Sequence, residues 1–381
     1  MKLNKYGLGT LALALLFGFE ASAYETAARN AILMDYDTGE YLFEKNIEEP
    51  VPPASMSKLM TVYLLMSKIK DGSIKLDDTF SVSENAWRKG GAATGGSTMF
   101  LSIGDNVSVE NIIKGIVIQS GNDACIVVAE NISGSEEDFA ELMNKTAAEL
   151  GLKNSTFANS TGLPHPDQRM SVEDLAILSR HIIKEFPDLY HYFKEKEFVY
   201  NNIKQGNRNP LLYTMPGADG LKTGHTEEAG FCLAASAVKG DRRLIEVMSG
   251  MTSNKERSEE SERLMSWGFR EFTNYKLFAK GDVVATAKVW YGKDKTVNLT
   301  VEEDVIKTVH GSQKDNIKAT AEFDEPIKAP IAVGDKVGVL KVETEGQSAV
   351  EIPLVAAADV QKVGLWGRFW ANVKYFLFGA K

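Results

Sequence analysis

Cysteine is scarce in this chain: Cys125 and Cys232 are the only two in 381 residues. A disulfide framework is therefore not what holds the fold together. Both thiols sit in apolar settings, "DACIVVA" and "GFCLAAS", which fits buried packing; one bridge between them stays open. Histidine is scarce too, with five scattered residues and no Gly-x-Ser-x-Gly elbow, so a Ser-His-Asp hydrolase has no support. There is no His-Glu-x-x-His, no paired-cysteine spacing and no glycine loop ending in Gly-Lys-Ser/Thr. The expectation is a protein with no metal, no cofactor and no phosphate loop. Positive charge is in deficit, with 43 Lys and Arg against 52 Asp and Glu and a net charge of −9. A nucleic-acid binder needs a basic face, and this balance argues against one. Internal repeats and long low-complexity runs are absent as well.

What is present has the texture of a globular protein, 44% hydrophobic and 25% charged. The length exceeds what one core usually organises, so two domains are expected. The first residues read as a leader rather than as fold. Lys2 and Lys5 precede an apolar run, Leu8 to Phe19, and then the small-x-small triplet Ala21-Ser22-Ala23. This is the pattern of a secretory signal peptide over residues 1–23, and it implies that the mature chain works outside the cytoplasm.

Residues 24–275 mix strand and helix signals. "NAILMDYDTGEYLFEKN" reads as two strands around an Asp37-Thr38-Gly39 turn. Ser57 to Lys70 is apolar enough for a largely buried helix, and "SVSENAWRKGGAATGGSTMFL", with four glycines from Gly90 to Gly96, reads as a loop. Ser171 and Asp174 open a capped helix. "AGFCLAASAVKGDRRLIEVMSGM" reads as two strands joined at Lys239-Gly240-Asp241, and Asp219 reads as a turn residue before the Lys222 strand. Residues 276–363 are short alternating segments with turns between them, a small all-β sandwich. Residues 364–381, Gly364 to Lys381, place Trp366, Phe369, Trp370, Val373, Phe376 and Leu377 on one helical face with no acidic residue. The segment is too short to span a bilayer, and its composition is that of a helix lying on a membrane surface.

The chemistry centres on "PPASMSKLMT". Ser55 and Lys58 stand three apart after Pro52 and Pro53, which fit a break before a helix start. Residues three apart share a helical face, so the Lys58 amine falls near the Ser55 hydroxyl. A serine hydroxyl needs such a base to become a nucleophile. A free lysine with a pKa near 10.4 is neutral in only about one molecule in several thousand at pH 7. Burial and a second cation are the means to change that. The same Ser-x-x-Lys spacing recurs at Ser67–Lys70 and Ser236–Lys239, and both copies read as structural. Downstream come Ser120-Gly121-Asn122 and Lys222-Thr223-Gly224, the latter followed by His225. Ser83-Glu84-Asn85 also matches Ser-x-Asn, so the second motif is not specific alone. The ordered set of Ser-x-x-Lys, Ser-x-Asn and Lys-Thr-Gly in a secreted chain is informative.

On these motifs, and on "IQSGNDACIVVAE", "NRNPLL", "DGLKTGHTEEAGF" and "LMSWGFR", the chain resembles the penicillin-binding D-alanyl-D-alanine carboxypeptidases of low molecular mass. The resemblance implies an α/β (α+β) catalytic domain of the serine β-lactamase and transpeptidase type, an antiparallel sheet flanked by helices. It implies Ser55 as the acylated nucleophile, Lys58 as its base and Ser120 as proton relay. Asn122 would hold the substrate amide. Lys222 would supply the second cation, and Thr223 would bond the substrate carboxylate. The backbone N–H groups of Ser55 and His225 would form the oxyanion hole. Arg208 and Arg257 match arginines near the carboxylate end, and Trp87 to Thr98 matches a flap. The implied substrate is a peptidoglycan pentapeptide that loses its terminal D-alanine, with β-lactams acylating the same serine. The implied location is periplasmic, attached to the outer face of the cytoplasmic membrane through Gly364 to Lys381.

Two other classes share part of this pattern. A class A β-lactamase deacylates with a Glu-x-x-Leu-Asn segment, and the nearest run, Glu149 to Lys153, lacks the asparagine. A non-catalytic envelope-binding protein would not need the intact motif set.

Overall fold

The stretch from Asn30 forms the expected hairpin. Strands β1 (Asn30–Asp35) and β2 (Tyr41–Lys45) pair antiparallel around a turn with Gly39 at φ 75°. The computed structural model describes residues 24–344 and 349–378; the expected leader, residues 1–23, and residues 379–381 lie outside the described residues. A 3-10 turn at Ala54–Ser57 leads into α1 (Lys58–Lys70), in which Lys58 to Met66 are all buried. This helix runs through the core, as its apolar run predicts.

Next come β3 (Thr79–Ser81), α2 (Glu84–Gly90), β4 (Asn106–Ser108) and α3 (Val109–Val117). Here one expectation is corrected: Trp87 to Gly90 are helical, and the glycine-rich loop begins only after Gly90. The cause is Ser83, whose hydroxyl accepts from Ala86 N at 2.9 Å and starts α2. Helices α4 (Asn122–Ser133), α5 (Glu136–Glu149) and α6 (Val172–Glu185) follow. Ser171 caps α6 by accepting from Asp174 N at 3.0 Å. The hairpin of β5 (Glu197–Tyr200) and β6 (Ile203–Gly206) and the short α7 (Leu211–Thr214) precede three long strands. These are β7 (Ala218–Thr226), β8 (Gly230–Lys239) and β9 (Arg242–Met251), followed by α8 (Asn254–Glu271).

The central sheet is antiparallel, in the order β2-β1-β9-β8-β7. Its side chains alternate between two cores. Leu33, Leu233, Leu244 and Met248 pack with Leu264 and Met265 of α8, while Ile32, Met34, Ile245 and Val247 belong to the larger cluster with α1 and α6. Both faces are covered, so β8 and β9 carry apolar side chains on both sides. Strand β7 is an edge, so its outer backbone groups have no ladder partner. Asp219 is a second correction. It lies within β7 and takes a two-armed ion pair from Arg243, at 2.8 and 2.7 Å, plus the Tyr190 hydroxyl at 3.0 Å.

The β-rich stretch opens with β10 (Phe272–Phe278), directly after α8. It continues through β11 (Val283–Trp290), β12 (Thr296–Thr300), β13 (Val305–His310), β14 (Lys318–Phe323), β15 (Ile327–Lys328), β16 (Lys336–Glu343) and β17 (Val350–Ala356). Six of these form a sheet in the order β14-β16-β17-β12-β11-β15, and β10 pairs with β13. Leu299, Leu340 and Leu354 centre its core. The β1–β2 turn docks on β13: Glu40 accepts from Thr308 N at 2.9 Å and pairs with Lys307, and the hydroxyls of Thr38 and Thr308 lie 2.8 Å apart. The chain then enters α9 (Leu365–Phe378).

Candidate active site

Ser55 sits in the 3-10 turn and Lys58 is the first residue of α1. A 3-10 turn stacks residues three apart, and the Lys58 amine lies 3.0 Å from Ser55 Oγ. Lys58 is 1% exposed. Its amine also meets Asn122 Oδ1 at 2.8 Å and the backbone carbonyl of Thr161. Burial brings its pKa down to about 8, with the Arg208 cation adding to this while Cys125 and Asp123 oppose it. That costs the charged form about 3 kcal/mol and leaves about one lysine in ten neutral at pH 7.

Lys222, in β7, is likewise buried, and its amine donates to Thr223 O at 3.0 Å. Burial holds its pKa well below the usual lysine range, with Lys58 and then Arg208 adding to the effect. A proton on Lys58 therefore disfavours one on Lys222. The cation that lowers the Lys58 pKa is Arg208, at the rim, rather than the expected Lys222, and Arg208 acts on both amines.

The other expected residues converge on the same place. Ser120 stands at φ 67°, a left-handed conformation that a non-glycine residue adopts at a cost. Its Oγ is buried and has no hydrogen-bond partner. Asn122 starts α4 and lies one turn from Cys125; the two cysteines are free, buried and pushed up to about 12 and about 11 by that burial. A Cβ on Gly224 would stand 3.0 Å from Pro53 O, so β7 lies flush against the residues before Ser55. His225 is exposed, with its ring stacked on Phe231 at 4.0 Å.

These residues open on a cavity of about 760 Å³ lined by Ser55, Ser120, Asn122, Arg208, Thr223, His225 and Arg257, with Gly95, Gly96 and Ser97 of the flap. No carboxylate is among its lining residues, so the site is electropositive. Arg208 donates to Ser97 Oγ at 2.7 Å. Arg257 lies over the Phe231 ring at 5.7 Å, and its Nε has no partner. The flap is fastened by Asp123, which accepts from Thr98 Oγ1 at 2.5 Å and Met99 N at 2.9 Å.

The decoy motifs have ordinary roles. Ser67 donates to Tyr63 O at 2.8 Å, Ser236 accepts from Arg243 at 2.6 Å, and Asn85 donates to Glu130 at 2.8 Å. What the sequence does not reveal is the Thr161 carbonyl behind Lys58, since a backbone acceptor carries no residue signature. Among the described residues no group of three or more His, Cys, Asp or Glu is placed to hold a metal.

Known proteins resemble this chain in sequence and in fold. The family described as D-alanyl-D-alanine carboxypeptidase matches residues 18–253, and that described as penicillin-binding protein 5, C-terminal domain, matches residues 272–362. D-alanyl-D-alanine carboxypeptidase DacC of Escherichia coli (strain K12) is 42% identical, over 90% of this chain and 86% of that protein. The crystal structure of penicillin binding protein 5 from Haemophilus influenzae superposes with a TM-score of 0.83 at 36% identity, covering 89% of this chain and 99% of that one. Penicillin-Binding Protein D2 from Listeria monocytogenes, solved in an ampicillin-bound form, covers 65% of this chain and 99% of its own, with a TM-score of 0.56 at 28% identity. With both domains matched and relatives of one name over nearly its whole length, the chain belongs to the D-alanyl-D-alanine carboxypeptidase family and is a serine-type carboxypeptidase of that kind.

Proposed function

We propose that Ser55 is the nucleophile and Lys58 its general base in removing the terminal D-alanine from a peptidoglycan pentapeptide. The observation that carries this is the set of neighbours around the Lys58 amine. Asn122 Oδ1 and the Thr161 carbonyl are acceptors only. A neutral amine has two N–H bonds and one lone pair. With both N–H bonds spent on those oxygens, the lone pair faces Ser55 Oγ at 3.0 Å.

Ser55 Oγ attacks the carbonyl carbon between the two D-alanines as its proton passes to Lys58. The oxyanion meets the backbone N–H groups of Ser55 and His225, the latter on the open edge strand. The C–N bond breaks as the leaving amine takes a proton through Ser120, whose hydroxyl has no other partner. Water then cleaves the ester, returning Ser55. Arg208, Arg257 and Thr223 face the substrate carboxylate from an electropositive wall, Lys222 stands buried behind it and braces Thr223 by donating to its carbonyl, and Asn122 uses its amide N–H₂ for the substrate backbone. β-Lactams acylate the same serine. Intact-protein mass after incubation with penicillin checks this: one adduct on Ser55 is expected, with D-alanine released from a pentapeptide by the wild type and not by Ser55→Ala. Full D-alanine release by Ser55→Ala overturns it.

The leader pattern and α9 support an exported enzyme held on the outer face of the cytoplasmic membrane. Trp366 is 80% and Trp370 62% exposed, so this face of α9 is not docked on the protein. Among the described residues no helix is long and apolar enough to cross a membrane, which fits a helix lying in the interface. A chain ending near Lys362 should no longer sediment with lipid vesicles; undiminished sedimentation refutes the anchor.

A further inference from the structure

Thr161 presents its backbone carbonyl to Lys58. The N–H of the same peptide plane belongs to Gly162, and it donates to Asn159 Oδ1 at 2.8 Å. One peptide is thus gripped at both ends. The same Oδ1 also accepts from Thr161 N at 3.1 Å and Thr161 Oγ1 at 2.8 Å, while Asn159 Nδ2 donates to Leu163 O at 3.1 Å. The preceding carbonyl, Ser160 O, accepts from Thr61 Oγ1 at 2.7 Å, one helical turn beyond Lys58. Gln168 ties this turn to the nucleophile's own segment. Its Oε1 accepts from Ala158 N at 2.7 Å and Asn159 N at 3.1 Å, and its Nε2 donates to Ser57 Oγ at 2.6 Å. Asn159 and Gln168 do not line the catalytic cavity.

The direction of a backbone carbonyl is set by its peptide plane alone. If the Thr161–Gly162 peptide turned over, it would present an N–H to Lys58 in place of an oxygen. The lone pair of the amine would then be drawn to that donor and away from Ser55. A carbonyl whose own N–H is hydrogen-bonded is also the more polarised acceptor.

We propose that Asn159 is a positioning residue for the general base: it locks the Thr161–Gly162 peptide with its carbonyl on Lys58 and so aims the Lys58 lone pair at Ser55. This rests on the reading of Lys58 as the base of Ser55. Asparagine suits the task because a neutral acceptor fixes the peptide without adding a charge beside the amine.

The test is the rate constant of acylation by a chromogenic cephalosporin, followed across pH in wild type, Asn159→Ala, Asn159→Asp and Lys58→Ala. The other charged or titratable groups around Lys58, namely Asp123, Cys125, Arg208 and Lys222, are the same in all four. Asn159→Ala is expected to acylate roughly 10-fold to 100-fold more slowly, the scale of a misplaced catalytic group. Asn159→Asp keeps the acceptor and adds a negative charge, which favours the protonated amine. It is expected to recover most of the rate at high pH with its midpoint moved upward. The midpoint shift reports the new charge beside the amine; the recovery of rate at high pH is what a merely structural role would not give. The proposal is overturned if Asn159→Ala stays within about twofold of wild type, or if Asn159→Asp matches Asn159→Ala in rate at every pH. Should Asn159→Ala not fold, Asn159→Asp decides alone: a rate that stays roughly 10-fold or more below wild type at every pH overturns the proposal. Wild-type acylation by Lys58→Ala would instead sink the assignment of the base itself.

Discussion

Gly162 stands so close to Ala54 that a Cβ on it would fall 2.0 Å from the Ala54 carbonyl oxygen. Gly162 is also at φ 77°, and Ala54, the residue before the nucleophile, is at φ 47°. Two left-handed residues thus meet back to back beneath Ser55. The segment that supplies the Thr161 carbonyl and the segment that supplies the serine hydroxyl thus meet here in direct backbone contact, beside the tie that Gln168 makes to Ser57. Gly162→Ala must shift one segment against the other. It is expected to lose about 1–3 kcal/mol of stability and roughly 100-fold in kcat/KM for D-alanine release. Thermal melting and pentapeptide kinetics on one preparation check both; a stable variant with wild-type kcat/KM contradicts the role given to this contact.

The pH dependence follows from Lys58. Its pKa is brought down to about 8, chiefly by burial, and the neutral amine is the active form. Acylation at low β-lactam concentration should therefore rise about tenfold per pH unit below that value and level off above it. Lys58→Arg holds a permanent charge, so its acylation should fall by at least about a thousandfold and lose the rising limb. A flat wild-type profile between about pH 6 and pH 8 would remove the lysine from the proton transfer.

The parts of this site that depend on side-chain identity were legible in the sequence. Pro52-Pro53 before Ser55, Ser120 with Asn122, and Lys222 before Gly224 led to one site, and the two segments around Lys239-Gly240-Asp241 led to the paired strands β8 and β9. What stayed hidden depends on where the backbone turns. Thr161 acts through its carbonyl, which every residue possesses. Asn159 and Gln168 are distant in sequence from Lys58 and read as loop residues. Asp219 reads as a turn residue because its partner, Arg243, lies two strands away. Arg208 acts on Lys58 through a fold that no local pattern predicts. The docking of the β1–β2 turn was invisible for the same reason, since Glu40 and Lys307 meet only across the two domains.

That docking carries its own prediction. Lys307 is 2% exposed, and the Glu40 carboxylate bonds both its amine and Thr308 N. Glu40→Ala leaves the ammonium buried without its carboxylate, a change that typically costs about 3–5 kcal/mol. The cost should fall on the domain junction rather than on the sheet. Calorimetry is expected to resolve separate transitions for the two domains in Glu40→Ala, with D-alanine release near wild type below the first of them. A single unshifted transition would show that the pair does not hold the domains together.

Glu246 presents the opposite case, a buried acid that the site does not use. It lies on β9 between Leu33 and Ala235, fully buried, and neither carboxylate oxygen has a hydrogen-bond partner. The nearby Ser261 hydroxyl is turned to the Met248 sulfur, 3.7 Å away. Burial raises the Glu246 pKa well above its ordinary value of 4.5. The folded chain therefore keeps a proton that the unfolded chain gives up, and stability falls as pH rises from that ordinary value toward the raised one. Glu246→Gln removes the titration, and Glu246→Leu also removes the two orphan oxygens from an apolar layer. Glu246→Leu should gain about 1–3 kcal/mol at neutral pH, and the gain should shrink as pH is lowered toward about 4. Glu246→Gln should flatten the pH dependence by itself. Urea melts of the three proteins from acid to neutral pH separate these effects; a loss of stability in Glu246→Leu at pH 7 would mean that the carboxyl group is held by contacts of its own.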